Sequence, residues 1–304
     1  MSGKGLRKRI RRWLVYIFVL FFVKVLRSMK RLTAIRLTLL IGRIAFYLAK
    51  GARSRTIRHL TWAFATEKSP EQIKSLAQKT FLNLAVTTAD AIRLPVLIEQ
   101  GLNNFVTVEG FHHLDKAHAK GRGTILLSGH FGNWELLAAW VAQKGIPLKV
   151  IGRPAYDPRL DEMLVDVRNK AGYTNIPRGK GTKEIVRSLK LGYALGLLID
   201  QDTRVKGVFA DFFGRPAHTA TGPIILSQKF GAPIVPIFIR LREDLTYHVY
   251  CGEELSLENT GDEERDLIVN TQKCSDVYER IIRRFPDQWV WMHRRWKKQP
   301  TAVS

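Results

Sequence analysis

The chain has 304 residues, 45% of them hydrophobic, which is enough to bury a large core, either as one domain with an appendage or as two domains. Forty-nine Lys and Arg stand against 27 Asp and Glu, a formal net charge of +22. That excess points to an anionic partner, whether nucleic acid, an anionic membrane surface or an acidic protein or substrate. The two cysteines, Cys251 and Cys274, lack metal-ligand and CxxC spacing, which excludes a zinc or dithiol motif and leaves ordinary packing in a reducing compartment.

The N-terminal stretch "GKGLRKRIRRWLVYIFVLFFVKVLRSMKR" sets basic residues on both sides of an unbroken apolar run from Trp13 to Val23. A helix over that run spans about 16 Å, short of the roughly 30 Å hydrocarbon core. No small-x-small cleavage site follows it, which argues against a signal peptide. Basic flanks on both ends give no preferred crossing direction. A short tilted span or an in-plane anchor is the reading these residues favour over a buried soluble helix. From Arg31 to Lys50, Leu32, Ile35, Leu39 and Phe46 recur at near-helical spacing with Arg36 and Arg43 on a polar side, the pattern of an interfacial helix or of a surface helix packed on its own domain.

"SPEQ" (Ser69–Gln72) starts a helix, with a serine N-cap, proline at the first position and glutamine at N3. It runs towards Arg93, where "LPVL" interrupts it. From Phe105 the grammar changes. "FVTVEG", "TILLSG", "PLKVIG", "YALGLLID", "APIVPIFIR" and "LTYHVYCG" read as strands. Helices are expected at about 133–143, in "DPRLDEMLVDVRNKAG", "GTKEIVRSLKLG" and "GPIILSQKFG", and in a long C-terminal stretch with Leu267, Cys274, Tyr278, Ile281 and Phe285 along one stripe. Strands alternating with helices predict an α/β fold: a central, mostly parallel sheet covered by helices, with an N-terminal helical membrane anchor. The expected division is 1–50 for basic, apolar anchor or interfacial helices, 51–100 for a helical appendage and 101–304 for the α/β domain.

Chemistry concentrates in "TILLSGHFGNWELLAAW" (Thr124–Trp140). A strand ends at Ser128 and hands over through Gly129 and His130 to a helix that opens near Glu135. In open α/β sheets sites collect at the carboxyl ends of strands. Glu135, one turn into the helix, can fold back to the imidazole and hold its tautomer, freeing the other ring nitrogen to take a proton from an attacking hydroxyl. Backbone N–H groups at the helix start offer donors to an oxyanion or a phosphate. Ser128 lacks the G-x-S-x-G elbow of a nucleophilic serine, and one His and one Glu five apart do not fit metal spacing. Asp200 and Asp202 follow another strand along the same sheet edge and compete with Glu135 for the imidazole; a capping role is the alternative for each. Arg153 and Arg178 follow strands or their loops and suit an anionic headgroup. Asn133 is placed to pin a substrate or His130 itself. His112, His113 and His293 read as structural, and His218 as a surface residue.

"SGHFGNWE" resembles the H-x4-D/E motif of glycerolipid acyltransferases. With "IGRP" (151–154), "IPRGKG" (176–181), "IDQD" (199–202), "VFADFFGRPAHTATGP" (208–223) and "QWVWMHRRWK" (288–297) in order, the chain resembles the bacterial lipid A late acyltransferases of lauroyl/myristoyl type and the related mannoside acyltransferases. The resemblance covers nearly the whole chain. It implies O-acyl transfer from an acyl carrier protein thioester, or acyl-CoA, to a hydroxyl of an anionic membrane glycolipid, a lipid A precursor, with no resident cofactor or metal. His130 would be the general base and Glu135 its orienter, with Asn133, Arg153 and Arg178 on the substrate. "DFFGRPAHTATGP" would wall the acyl and acceptor pocket, through Phe212 and Phe213, and "QWVWMHRRWK" would meet headgroups. Expected partners are acyl carrier protein, the glycolipid acceptor and membrane lipids, at the cytoplasmic face of a bacterial inner membrane. A lysophosphatidate acyltransferase shares the first motif but usually carries an E-G-T-R-like block that is absent here. A nucleic-acid-binding protein should show a helix-turn-helix, an RNA-binding strand signature or zinc spacing; none is found. A catalytically idle membrane scaffold should have lost the His or the Glu, and both are kept.

Overall fold

In the computed structural model, which describes residues 3–179 and 181–300, the chain opens with five helices: α1 (Gly3–Ser28), α2 (Arg31–Leu48), α3 (Lys50–Phe64), α4 (Pro70–Ile92) and α5 (Leu94–Glu99). Lys180 of the "IPRGKG" motif lies outside the described residues. The α4 start is the capping box expected from "SPEQ": Ser69 Oγ accepts from Gln72 N and the Gln72 side chain accepts from Ser69 N. Such a cap contributes about 1 kcal/mol. Pro95, which has no N–H to give, separates α5 from α4.

Two arginine contacts fasten these helices to each other. Arg93 Nη1 donates to the carbonyls of Leu26, Arg27 and Met29, capping the C-terminal turn of α1. Arg31, at the start of α2, pairs in bidentate fashion with the fully buried Asp90 of α4 at 2.9 and 2.7 Å. What α1 and α2 leave outside is apolar. Ile10, Trp13, Leu14, Ile17, Phe18 and Phe21, a run at helical spacing, are all exposed on α1, and Leu32, Leu40, Ile41, Ile44, Tyr47 and Leu48 are exposed on α2. Among the described residues no single helix is long and apolar enough to cross a membrane; α2 and α3 reach that length and composition only as a pair bent by 85°. The N-terminal anchor expected from the sequence therefore finds no support as a spanning helix. The apolar run is too short and its arginine-rich flank too polar.

The rest of the chain alternates strands and helices: β1 (Val106–Glu109), α6 (Phe111–His118), β2 (Thr124–Ser128), α7 (Trp134–Gln143), β3 (Leu148–Gly152), α8 (Pro158–Lys170), β4 (Tyr173–Pro177), α9 (Thr182–Lys190), β5 (Ala194–Leu198), β6 (Gly207–Asp211), β7 (Pro216–Ala220), α10 (Gly222–Phe230), β8 (Ile234–Leu241), β9 (Tyr247–Cys251) and α11 (Glu263–Arg284). Seven strands form one sheet in the order β1-β9-β8-β2-β5-β3-β4. All neighbours are parallel except β8 and β9, so the mostly parallel α/β architecture read from the sequence is the one observed. Central β2 is buried at every position, with Ile125 and Leu127 in the core on one face and Leu126 in the core on the other. Leu60, Phe64, Ile73 and Phe81 of α3 and α4 join the first of those cores, and Ile35, Val86 and Ala89 of α2 and α4 join the second.

Four elements of the α/β part escaped the sequence reading. Edge strand β4 ("YTNIP") is short, half exposed and ends in proline, so it lacks a continuous apolar signal. Helix α6 has only Leu114 and Ala117 buried. The β6–β7 hairpin stands off the main sheet, and its turn carries Phe213 at φ 56°. Phe212 and Phe213, expected to wall a substrate pocket, are instead core residues packed on Trp289, Trp291 and Phe64. Cys251 and Cys274 are buried, and burial pushes both thiols up to about 12.

Candidate active site

Sheet register builds the centre. Ser128, last in β2, pairs with Leu198, last in β5. Two residues beyond each strand end stand His130 and Asp200, and the imidazole Nδ1 lies 2.9 Å from Asp200 Oδ1. A carboxylate only accepts, so Nδ1 carries a proton, and in the neutral ring Nε2 is the nitrogen with the lone pair. The His130 ring is partly exposed and lines a cleft; Nε2 has no protein partner among the described residues. Asp200 is fully buried, and its Oδ2 accepts from His130 N at 2.8 Å and from Trp289 Nε1 at 2.8 Å. Burial opposes the Asp200 charge, but His130 and these donors outweigh it and hold the carboxyl below its ordinary value. The carboxylate is thus ionised and fixed with one oxygen aimed at the ring.

Two glycines let the turn close. Gly132 has φ 56°, and a Cβ there would lie 1.8 Å from Ile239 O. A Cβ on Gly129 would lie 3.0 Å from the Tyr278 ring and 3.2 Å from Asp200 Oδ2. The turn is also pinned by the segment after α11: Gly132 N donates to Gln288 O at 2.9 Å, and Val290 N donates to His130 O at 3.1 Å. Tyr278 OH donates to Ser128 O at 2.5 Å, beneath the same turn.

Glu135 does not meet His130. Its carboxylate takes a bidentate pair from Arg168 of α8, at 3.0 and 2.5 Å, and a 2.7 Å hydrogen bond from Tyr173 of β4. The expected His130–Glu135 pairing is corrected on geometry: strand order puts β5 beside β2, whereas the first turn of α7 faces β3 and β4. Burial and the adjacent Glu135 charge both push the Tyr173 phenol up, so it stays a donor. Asp202 accepts from Lys298 N at 3.0 Å and lies 3.5 Å from His218 Nδ1, tying down the C-terminal segment rather than the imidazole. Asn133 is buried; its Oδ1 caps α7 at Leu136 N and its Nδ2 donates to Thr87 O and Tyr247 OH. It does not line the cleft, so the substrate contact expected of it is replaced by a capping role.

The cleft has a volume of about 830 Å³. Trp134, Ala138, Val150, Ile151 and Leu198 give it an apolar side. Arg153, Arg168, Arg178, Arg204, Lys297 and Lys298 make it strongly basic, against Glu135 and Asp202. Arg153 and Arg178 are exposed and line the same cleft as His130. The amides of His130, Phe131 and Gly132 are all spent inside the protein, and at the start of α7 Leu136 N is taken by Asn133 Oδ1. Among the described residues no cluster of three or more His, Cys, Asp or Glu fits a metal.

Sequence reasoning missed Arg168 and Tyr173, the Trp289 donor and His293. His293 lines the cleft, and burial pushes its pKa down. His218, expected at the surface, is buried. "QWVWMHRRWK", expected at a headgroup interface, is mostly internal: Trp289, Trp291 and Trp296 are buried, as is Arg295, whose guanidinium donates to His218 O and Thr219 Oγ1. The alternation of Trp289 and Trp291 around Val290 was the available signal, a period of two that here bridges residue 131 like a short strand.

The family model for bacterial lipid A biosynthesis acyltransferases matches residues 2–298. The chain is similar to the phosphatidylinositol mannoside acyltransferase of Mycobacterium tuberculosis, 25% identical over 68% of this chain and 66% of that protein. It is also similar to two proteins of Escherichia coli K12: the lipid A biosynthesis palmitoleoyltransferase (26% identical; 87% of this chain, 85% of that one) and the lauroyltransferase (25%; 86% and 85%).

Proposed function

Because the chain belongs to the bacterial lipid A biosynthesis acyltransferase family, we propose that it moves a fatty acyl group from an acyl carrier protein thioester to a hydroxyl of an anionic lipid A precursor. His130 is the general base and Asp200 its positioning carboxylate. The observation that carries this reading is the 2.9 Å contact between Nδ1 and the buried Asp200, which leaves Nε2 facing a basic cleft.

The acceptor hydroxyl donates to Nε2. As its oxygen attacks the thioester carbonyl, the proton passes to Nε2, and the resulting imidazolium is stabilised by Asp200. The tetrahedral intermediate then expels the thiolate, which takes that proton and leaves as the thiol. No acyl-enzyme is needed. The basic side of the cleft, with Arg153 and Arg178 at its mouth, suits the acceptor's phosphates; the apolar side, Trp134 to Leu198, suits the acyl chain. Glu135 holds Arg168 in place for the same acceptor. A net charge of +22 favours an acidic carrier protein over a small thioester donor. The exposed apolar runs of α1 and α2, flanked by arginines, suit an in-plane seat on the cytoplasmic face of the inner membrane, where both lipid and carrier are within reach. A mannoside acceptor is the second reading, favoured by the name of the mycobacterial relative.

The test is acyl transfer by purified, detergent-solubilised protein, with carrier-protein and CoA thioesters offered to a lipid A precursor and to a mannoside. Transfer from the carrier thioester to the lipid A precursor, lost in His130→Ala, is the expected result. Transfer to the mannoside alone would keep the chemistry and replace the acceptor; a fully active His130→Ala would overturn the mechanism.

A further inference from the structure

The N-terminal half of α1 lies against the loop between β3 and α8. Arg12 stacks 4.2 Å from the centre of the Tyr156 ring, and Arg159 stacks 4.1 Å from that of Tyr16. Beside these contacts opens a second cleft of about 730 Å³, walled by Arg9, Arg12, Arg159, Ile10 and Trp13, with Asp157 among its residues. Asp157 offsets it only in part. Its carboxylate caps α8 and is held by Arg159 at 3.0 and 2.8 Å, with Arg12 a lesser electrostatic partner, so three arginines face one carboxylate. Arg12 Nε is shielded from water and has no hydrogen-bond partner, an orphan donor that a ligand oxygen would satisfy. Ile10 and Trp13 are half exposed and begin the apolar run that continues through Leu14, Ile17, Phe18 and Phe21.

A pocket of guanidiniums opening onto an apolar ridge has the two-part chemistry of a phospholipid. The phosphate meets planar arginine forks, and the acyl chains follow the ridge. We propose that the Arg9–Arg12–Arg159 cleft binds the phosphate of an anionic membrane phospholipid, as a site separate from the catalytic cleft. The proposal rests on the membrane-surface reading of α1. It also gives that reading a consequence for the acceptor. The loop that stacks on Arg12 through Tyr156 is the one that presents Arg153 to the catalytic cleft, three residues earlier. Lipid contact would therefore steady the arginine expected to meet the acceptor.

The test is co-sedimentation of the full chain with vesicles of phosphatidylcholine alone, or with roughly one third phosphatidylglycerol, at low salt. Arg9→Gln/Arg12→Gln is compared with Arg36→Gln/Arg43→Gln, which removes the same charge from exposed positions of α2. Wild type should favour the anionic vesicles, and the α1 pair should lose about tenfold or more in binding, clearly more than the α2 pair. Brominated lipid should quench a fluorescence component that is missing in Trp13→Phe. Equal losses in the two pairs would replace the site with a diffuse field and overturn it. Release from vesicles by inorganic phosphate at constant ionic strength would make the free anion, not lipid, the ligand, and overturn it too. If wild type ignores both kinds of vesicle, the membrane reading falls first and this site with it.

Discussion

Asp200 bonds to His130 and Glu135 lines the same cleft, and the protein holds the two carboxylates differently. Asp200 is sealed under the turn, with two N–H donors on one oxygen and the imidazole on the other. Glu135 sits in the wall of the open cleft, paired with an arginine and a tyrosine. The buried carboxylate is fixed before substrate arrives, and in the proposed mechanism it serves one proton transfer. The wall carboxylate is part of a charged surface, and its task is to hold Arg168 where an anion would bind. Distance along the chain says little about which carboxylate serves a base; adjacency in the sheet decides it.

That contrast can be broken most sharply by changing the two carboxylates separately. His130→Ala should lower kcat by about 10² to 10⁴, and Asp200→Asn should fall in the same range, because either change removes one shared proton-transfer unit. The double variant should be little worse than His130→Ala. Additive losses in kcat would mean that Asp200 does not act through His130. Glu135→Gln should behave otherwise, with an acceptor KM raised about tenfold as the charge-assisted grip on Arg168 weakens, and a smaller fall in kcat. A kcat collapse equal to that of Asp200→Asn would erase the distinction.

A gentler cut is Trp289→Phe, which keeps the aromatic packing but removes the N–H from Asp200 Oδ2. Hydrogen bonds to charged groups are worth about 1.5–3 kcal/mol, so kcat should drop about tenfold with acceptor KM unchanged. An unaltered kcat would show that His130 N alone fixes the carboxylate. The smallest effect lies behind the buried wall. His59 Nδ1 bonds to Trp291 O at 2.8 Å, and burial, outweighing that bond, lowers its pKa to about 4 from 6.5. The unfolded chain therefore takes up the proton first. Stability from the neutral ring is complete above about pH 6.5 and is lost as pH falls towards 4. Thermal melts across that range should show a slope that His59→Gln flattens; parallel curves would remove His59 from the account.

The sequence carried the α/β alternation, the capping box, the strand end with its histidine, and both aspartates after the other strand, because each is a local pattern. It did not carry strand order. Ser128 finds Leu198 only when β2 and β5 become neighbours, a choice made by packing on both sheet faces, and so the imidazole's partner stayed open among three carboxylates. Arg168 and Tyr173 were invisible for a related reason. One lies on a helix with no buried residue and the other starts a short edge strand, so neither stands out until the cleft forms. Trp289 was misplaced because a tryptophan–arginine mixture looks the same at a headgroup interface and in a buried aromatic cluster. Only the tertiary neighbours, Phe212 and Trp291, tell the two apart.

The bridge between the His130 turn and the segment around Trp289 also bears on timing. Every strand of the sheet has been translated by Cys251, yet the indole that grips Asp200, and His293, Lys297 and Lys298 in the cleft, come only after the last helix. These residues reach the sheet only after α11 has been made. Until then the nascent chain can hold a nearly finished sheet without the segment that pins the His130 turn, which separates the folding of the sheet from the completion of the cleft.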